Sequence, residues 1–149
     1  MAKLHEELKD WLTTLGNAQT WNGKHYYRGY SGDEEPLDVR VRRRHIAYSP
    51  DVIWAHHGDL LVFELAFTED WRAIAGEVSL AGLSGRVAKT YIITNYQDQI
   101  VSNLVSMLGD KYRDEGTMKW GASHLAVEPP LAEVKSAIKG RLKRGNYIW

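Results

Sequence analysis

The run Leu60-Leu61-Val62-Phe63-Glu64-Leu65-Ala66-Phe67 constrains this chain more than any other segment. It is apolar on both alternating faces, so it reads as a strand buried on both sides. Val52 to His56 supplies a second strand just upstream, and His57-Gly58 lies between the two. A two-residue turn at that point pairs His56 with Asp59. Counting back along the hairpin places Asp51 directly opposite Glu64. Directly opposed residues carry Cβ atoms about 4.5–5.5 Å apart on one face. Two carboxylates that close repel unless something cationic lies between them. A divalent metal ion answers that need.

The remaining sequence fits helices around this hairpin. Leu4, Leu8, Trp11, Leu12 and Leu15 recur at helical spacing, and Gly16-Asn17 stops the pattern, so a first helix spans 3–15. Lys24 to Tyr30 reads as a strand, and so does the arginine-rich stretch Val39 to Ala47. Thr68 or Asp70 caps a helix running to about Ser84, with Trp71, Ile74, Ala75, Val78, Ala81 and Gly82 on its apolar side. Lys89 to Thr94 is β-branched and apolar, as a buried parallel strand should be. A helix over 97–108, a short strand within 118–127 and a last helix from Leu131 to about Lys143 complete the order. The expected architecture is a single α/β domain over 1–149, a mixed central sheet with helices on both faces.

Composition narrows the classes. A chain of 149 residues with 44% hydrophobic residues can bury a core. Formal net charge is zero, so any attraction for nucleic acid has to be local. There is no cysteine, which excludes disulfides, thiolate metal sites and cysteine nucleophiles and suits a cytoplasmic location. No run approaches the roughly 20 apolar residues of a membrane helix. No glycine-rich phosphate loop is present, and Gly82-Leu83-Ser84-Gly85 ends a helix where a nucleophile elbow would begin one.

Pro50-Asp51, the hairpin, Glu64-Leu65-Ala66 and the helix and strand that follow resemble the PD-(D/E)XK nuclease superfamily, which includes restriction endonucleases and archaeal-type Holliday-junction resolvases. The resemblance covers the order of elements over residues 3–108. It implies a restriction endonuclease-like core and metal-dependent hydrolysis of DNA phosphodiester bonds. By that resemblance Asp51 and Glu64 hold Mg2+ or Mn2+, and the backbone carbonyl of Leu65 is a third ligand. Glu7 on the first helix and Glu77 on the second occupy places where members carry further site carboxylates. Many small relatives act as homodimers.

The pattern departs at one position. The family lysine belongs two residues after Glu64, where this chain has Ala66. Three readings stand: a deliberate Lys-to-Ala replacement, a lysine role moved to Lys89 or Arg72, or a natural non-cleaving relative. The last would be a nucleic-acid-binding or scaffold protein on a degenerate nuclease fold. A protein-interaction domain without nucleic acid is a third function class.

Each motif also has a plainer reading. Asp51 could open a strand as a turn residue, and Glu64 could pair with Arg42 or Lys89. Arg40, Arg42, Arg43 and Arg44 either grip DNA phosphates or guard an edge strand, with Arg40, Arg42 and Arg44 alternating onto one face. Lys135, Lys139 and Lys143 line one side of the last helix, a solvated face or an extension of a DNA track. His56-His57 is a turn rather than a zinc site. Tyr26, Tyr27 and Tyr30 serve the core or stack on bases, and Tyr147-Ile148-Trp149 docks on its own domain or on a second subunit.

Overall fold

Leu4, Leu8 and Leu12 fall on one stripe of a helix and are all buried in the computed structural model, which describes residues 2–67, 71–94, 117–118 and 130–149. That helix, α1, spans Ala2–Ala18. It continues past Gly16-Asn17, where the sequence predicts a stop. Gly16 serves close approach instead: a Cβ there would be driven into the indole of Trp54. The Trp54 Nε1–H donates to the Leu12 carbonyl at 2.9 Å. Asn17 in turn accepts from the Gly29 amide at 2.8 Å and donates to the Gly29 carbonyl at 3.0 Å, pinning the helix end to a strand.

Short strands β1 (Thr20–Trp21) and β2 (Lys24–His25) form a small hairpin, and β3 spans Arg28–Tyr30. The single strand expected over 24–30 is thus two pieces. The arginine-rich stretch is also not one strand. It folds into β4 (Leu37–Val41) and β5 (Arg44–Tyr48), antiparallel with Val41 opposite Arg44. Arg42 takes a left-handed φ of 56° at the turn.

The predicted central hairpin forms in the predicted register. β6 (Val52–His56) and β7 (Asp59–Ala66) pair from His56 opposite Asp59 to Val52 opposite Phe63. His57, at φ 54°, makes the turn. Helix α2 spans Trp71–Leu83 and leads to β8 (Val87–Thr94), which pairs parallel with β7. β9 (Thr117–Met118) pairs parallel with β8, and α3 spans Leu131–Arg144. The main sheet therefore has the order β3-β6-β7-β8-β9 and is mixed. The caps expected at Thr68 and Asp70, the helix expected over 97–108 and most of the strand expected within 118–127 lie outside the described residues.

Strand alternation divides the core. Val52, Trp54, Leu61, Phe63, Leu65, Tyr91 and Ile93 meet α1 and α3 on one face. Ile53, Leu60, Val62, Ala66 and Ile92 meet α2 and the β4–β5 hairpin on the other. Helices thus lie on both faces of the sheet, as expected. Among the described residues no helix is long and apolar enough to cross a membrane.

Candidate functional site

Glu64 belongs to the α2 face by alternation, and it is only 3% exposed. A carboxylate in that position is costly unless it is protonated or bonded. Its partners come from two other elements. Tyr48, the last residue of β5, donates its hydroxyl to Glu64 Oε1. Glu77, on α2, acts on Glu64 by its charge and by side-chain hydrogen bonding, and both favour a protonated Glu64.

Asp51 precedes β6 at a bend and continues the hairpin by a side chain. Its Oδ2 accepts the Leu65 amide at 2.7 Å, where a ladder bond would otherwise run. Its Oδ1 lies 3.1 Å from His5 Nε2 on α1. The bend is fixed from outside, because Gly32 donates its amide to the Pro50 carbonyl at 2.9 Å. A Cβ on Gly32 would collide with the Pro50 backbone.

These placements set the electrostatics. Burial raises the Glu64 pKa well above the carboxylate range, and the charges of Glu77 and Asp51 raise it further. The Tyr48 hydrogen bond opposes them. The Tyr48 hydroxyl is itself pushed far up, first by burial and then by the Glu64 charge. The hydrogen bond to Asp51 holds the His5 imidazole above its ordinary value.

The structure brings together Asp51, Glu64 and Glu77 of the residues singled out from sequence. Leu65 joins them through its amide, which Asp51 holds. Glu7 is not brought in: its carboxylate pairs with Lys3 at 3.9 Å, and the α1 residue that reaches the acids is His5. Ala66 is buried on the α2 face in one cluster with Val62, Ile74 and Val78. Lys89 lies on the opposite face, its ammonium 5.6 Å from the Tyr91 ring. It is paired in register with Leu61, three residues short of Glu64. Neither Lys89 nor Arg42 is the partner of Glu64, whose described bonds go to Tyr48 and Glu77.

The arginine stripe is rearranged. Arg42 and Arg43 form a hairpin tip, so Arg40, Arg42 and Arg44 do not alternate along one strand. Arg40 Nε bonds the Arg42 carbonyl at 3.2 Å, and all four arginines are exposed. Arg44 lies four positions before Tyr48 on β5, about 13 Å along the strand. The basic tip thus stands apart from the carboxylates.

His5, Tyr48 and Gly32 were missing from the sequence reading. Tyr48 had one available signal, its place two residues before Pro50-Asp51.

The carboxylate oxygens of Asp51, Glu64 and Glu77 are hard donors, which fits Mg2+ or Mn2+, and His5 contributes an imidazole nitrogen beside Asp51. Among the described residues no group of three or more His, Asp or Glu side chains stands ready to hold an ion together. Magnesium needs only one or two protein carboxylates and keeps several waters. No family model matches the chain, and neither does any curated protein or solved structure.

Proposed function

We propose that this chain is a divalent-metal-binding domain of the PD-(D/E)XK type that acts on DNA phosphodiester bonds. The observation that carries the reading is the crowding of Glu64 by Asp51 and Glu77 at the end of a two-residue hairpin. Such a cluster is relieved by protons at low pH and by Mg2+ or Mn2+ at neutral pH. Asp51 and Glu64 would hold the ion, with Glu77 beside them. A bound ion supplies polarisation of a phosphate oxygen and a more acidic water. The chain's own residues do the positioning. His5 and the Leu65 amide fix both oxygens of Asp51, and Tyr48 fixes one oxygen of Glu64.

Ala66 favours a second reading, a non-cleaving DNA-binding relative. Its methyl group is packed against α2, and Lys89 faces the other side of the sheet. Two measurements separate the readings. Calorimetric titration with Mn2+ should show binding that Asp51→Ala abolishes. Ala66→Lys should then confer Mg2+-dependent cleavage of DNA. Salt-sensitive DNA binding without turnover in Ala66→Lys selects the non-cleaving relative. Absence of both metal heat and DNA affinity ends the reading altogether.

A further inference from the structure

The β4–β5 hairpin carries its charge at the end that leaves the core. Arg40, Arg42, Arg43 and Arg44 fall within one short stretch, and positions 39–49 contain no Asp or Glu. Four of the chain's 19 Lys and Arg thus sit here, against none of its 19 Asp and Glu. Residues 42–47 are all exposed, whereas Leu37, Val39 and Tyr48 at the other end are buried. Asp38, the nearest acid in sequence, is bonded to His45 at 2.7 Å.

The register decides where these cations leave the backbone. Arg40 is opposite His45, and Val41 is opposite Arg44. Directly opposed residues share a face, so Arg40 and Arg44 leave the ribbon on different faces, with Arg42 and Arg43 at its end. Arg40 Nε reaches the Arg42 carbonyl at 3.2 Å, which brings its guanidinium to the turn. Charged guards on an edge strand account for Arg40 and Arg44. They do not account for Arg42, which takes φ 56°, a conformation that glycine or asparagine adopts at lower cost.

Arginine matches phosphate with a planar, two-pronged fork. A lipid surface or a single strand is met with exposed aromatic rings beside the cations. Residues 39–47 contain no Phe, Tyr or Trp. The major groove of duplex DNA is about 12 Å wide, admits a two-stranded ribbon and is walled by phosphates on both sides. A ribbon with cations on both faces and at its tip matches that shape. We propose that the β4–β5 hairpin enters a groove of duplex DNA, with Arg40, Arg42, Arg43 and Arg44 on the phosphates of its walls. The partner rests on the DNA-directed reading above; the surface that holds it is new and needs no metal.

The test uses the full chain in EDTA with a duplex of about 20 base pairs, read by fluorescence anisotropy between about 50 and 200 mM salt. Four phosphate contacts give a slope of log affinity against log salt of about −3.6. Arg42→Asn/Arg43→Gln removes two charges and keeps a residue that tolerates the left-handed turn. It should flatten the slope by about 2 and weaken binding roughly tenfold per charge. Lys139→Ala/Lys143→Ala removes two exposed charges from α3, across the sheet, and should change affinity by less than about twofold. Full duplex affinity in the arginine variant overturns the hairpin and leaves the DNA-directed reading standing. So do equal losses in the two double variants, tighter binding of an oligothymidylate, or equal binding to vesicles of anionic lipid. No duplex binding by the unsubstituted chain overturns the hairpin, and no cleavage by Ala66→Lys or Mn2+ heat beside it removes the wider reading as well.

Discussion

Glu64 carries the main electrostatic cost at the site, and its protonation controls several measurable properties. Its folded pKa lies above the ordinary 4.5, so the folded protein holds a proton that the unfolded chain releases. Stability from this group is complete below about pH 4.5 and falls as pH rises through the folded pKa. His5 acts in the same direction, since its raised pKa favours folding below 6.5 and that gain is lost above it. Urea denaturation should therefore show stability declining from pH 5 to pH 8, and Glu64→Gln should flatten the lower part of that decline. Mn2+ should raise the melting temperature more at pH 8 than at pH 5, because an ion competes with protons for these oxygens. Tyr48→Phe removes a donor to a buried carboxyl group and should cost about 1–2 kcal/mol by urea denaturation, more at pH 8 than at pH 5.

Elements decide whether those residues meet at all. Helix α1 is held through Gly16 on Trp54 and through the Asn17 amide on Gly29, so His5 arrives beside Asp51 with little freedom. The Gly32 contact does the same for the Asp51 bend. Gly32→Ala should cost about 1–3 kcal/mol in urea denaturation from overpacking. It should also weaken Mn2+ binding by about tenfold in calorimetry, the loss typical when a ligand's support moves. The hairpin behind this geometry was legible in sequence, because a two-residue turn at His57-Gly58 between two apolar runs fixes which residues pair. The β4–β5 hairpin was not. Its turn at Arg42-Arg43 has no glycine, proline or asparagine, and β-branched Val39, Val41 and Ile46 on either side of it read as strand residues. The His5–Asp51 contact spans 46 residues, and no local pattern reports a pairing at that distance. Glu7 was singled out on the same helix, but its carboxylate pairs with Lys3 while His5 reaches Asp51.

Across the molecule, one sheet keeps two chemistries apart. Glu64 lies on the α2 side near the end of β7 with Tyr48 and Glu77, Asp51 reaches His5 of α1, and Tyr27, Trp54, Phe63 and Tyr91 lie on the α1/α3 side. The C-terminal segment closes that second side. Ile148 is buried in the α1/α3 core, and Trp149 Nε1 donates to the Thr20 carbonyl at 3.0 Å. Trp149 also meets Trp21 and Tyr26 edge to face, although it remains 53% exposed. The tail therefore docks on its own domain, and Ile148→Ala should lower stability by about 2–4 kcal/mol in urea denaturation. The strict alternation of β7 has a consequence for its reading frame. Inserting one residue between Leu60 and Phe63 would swap the sidedness of everything downstream, delivering an acid among the tyrosines and a phenyl ring to Tyr48 and Glu77. Substitutions tune this strand, whereas an indel within it trades one surface for the other in a single step.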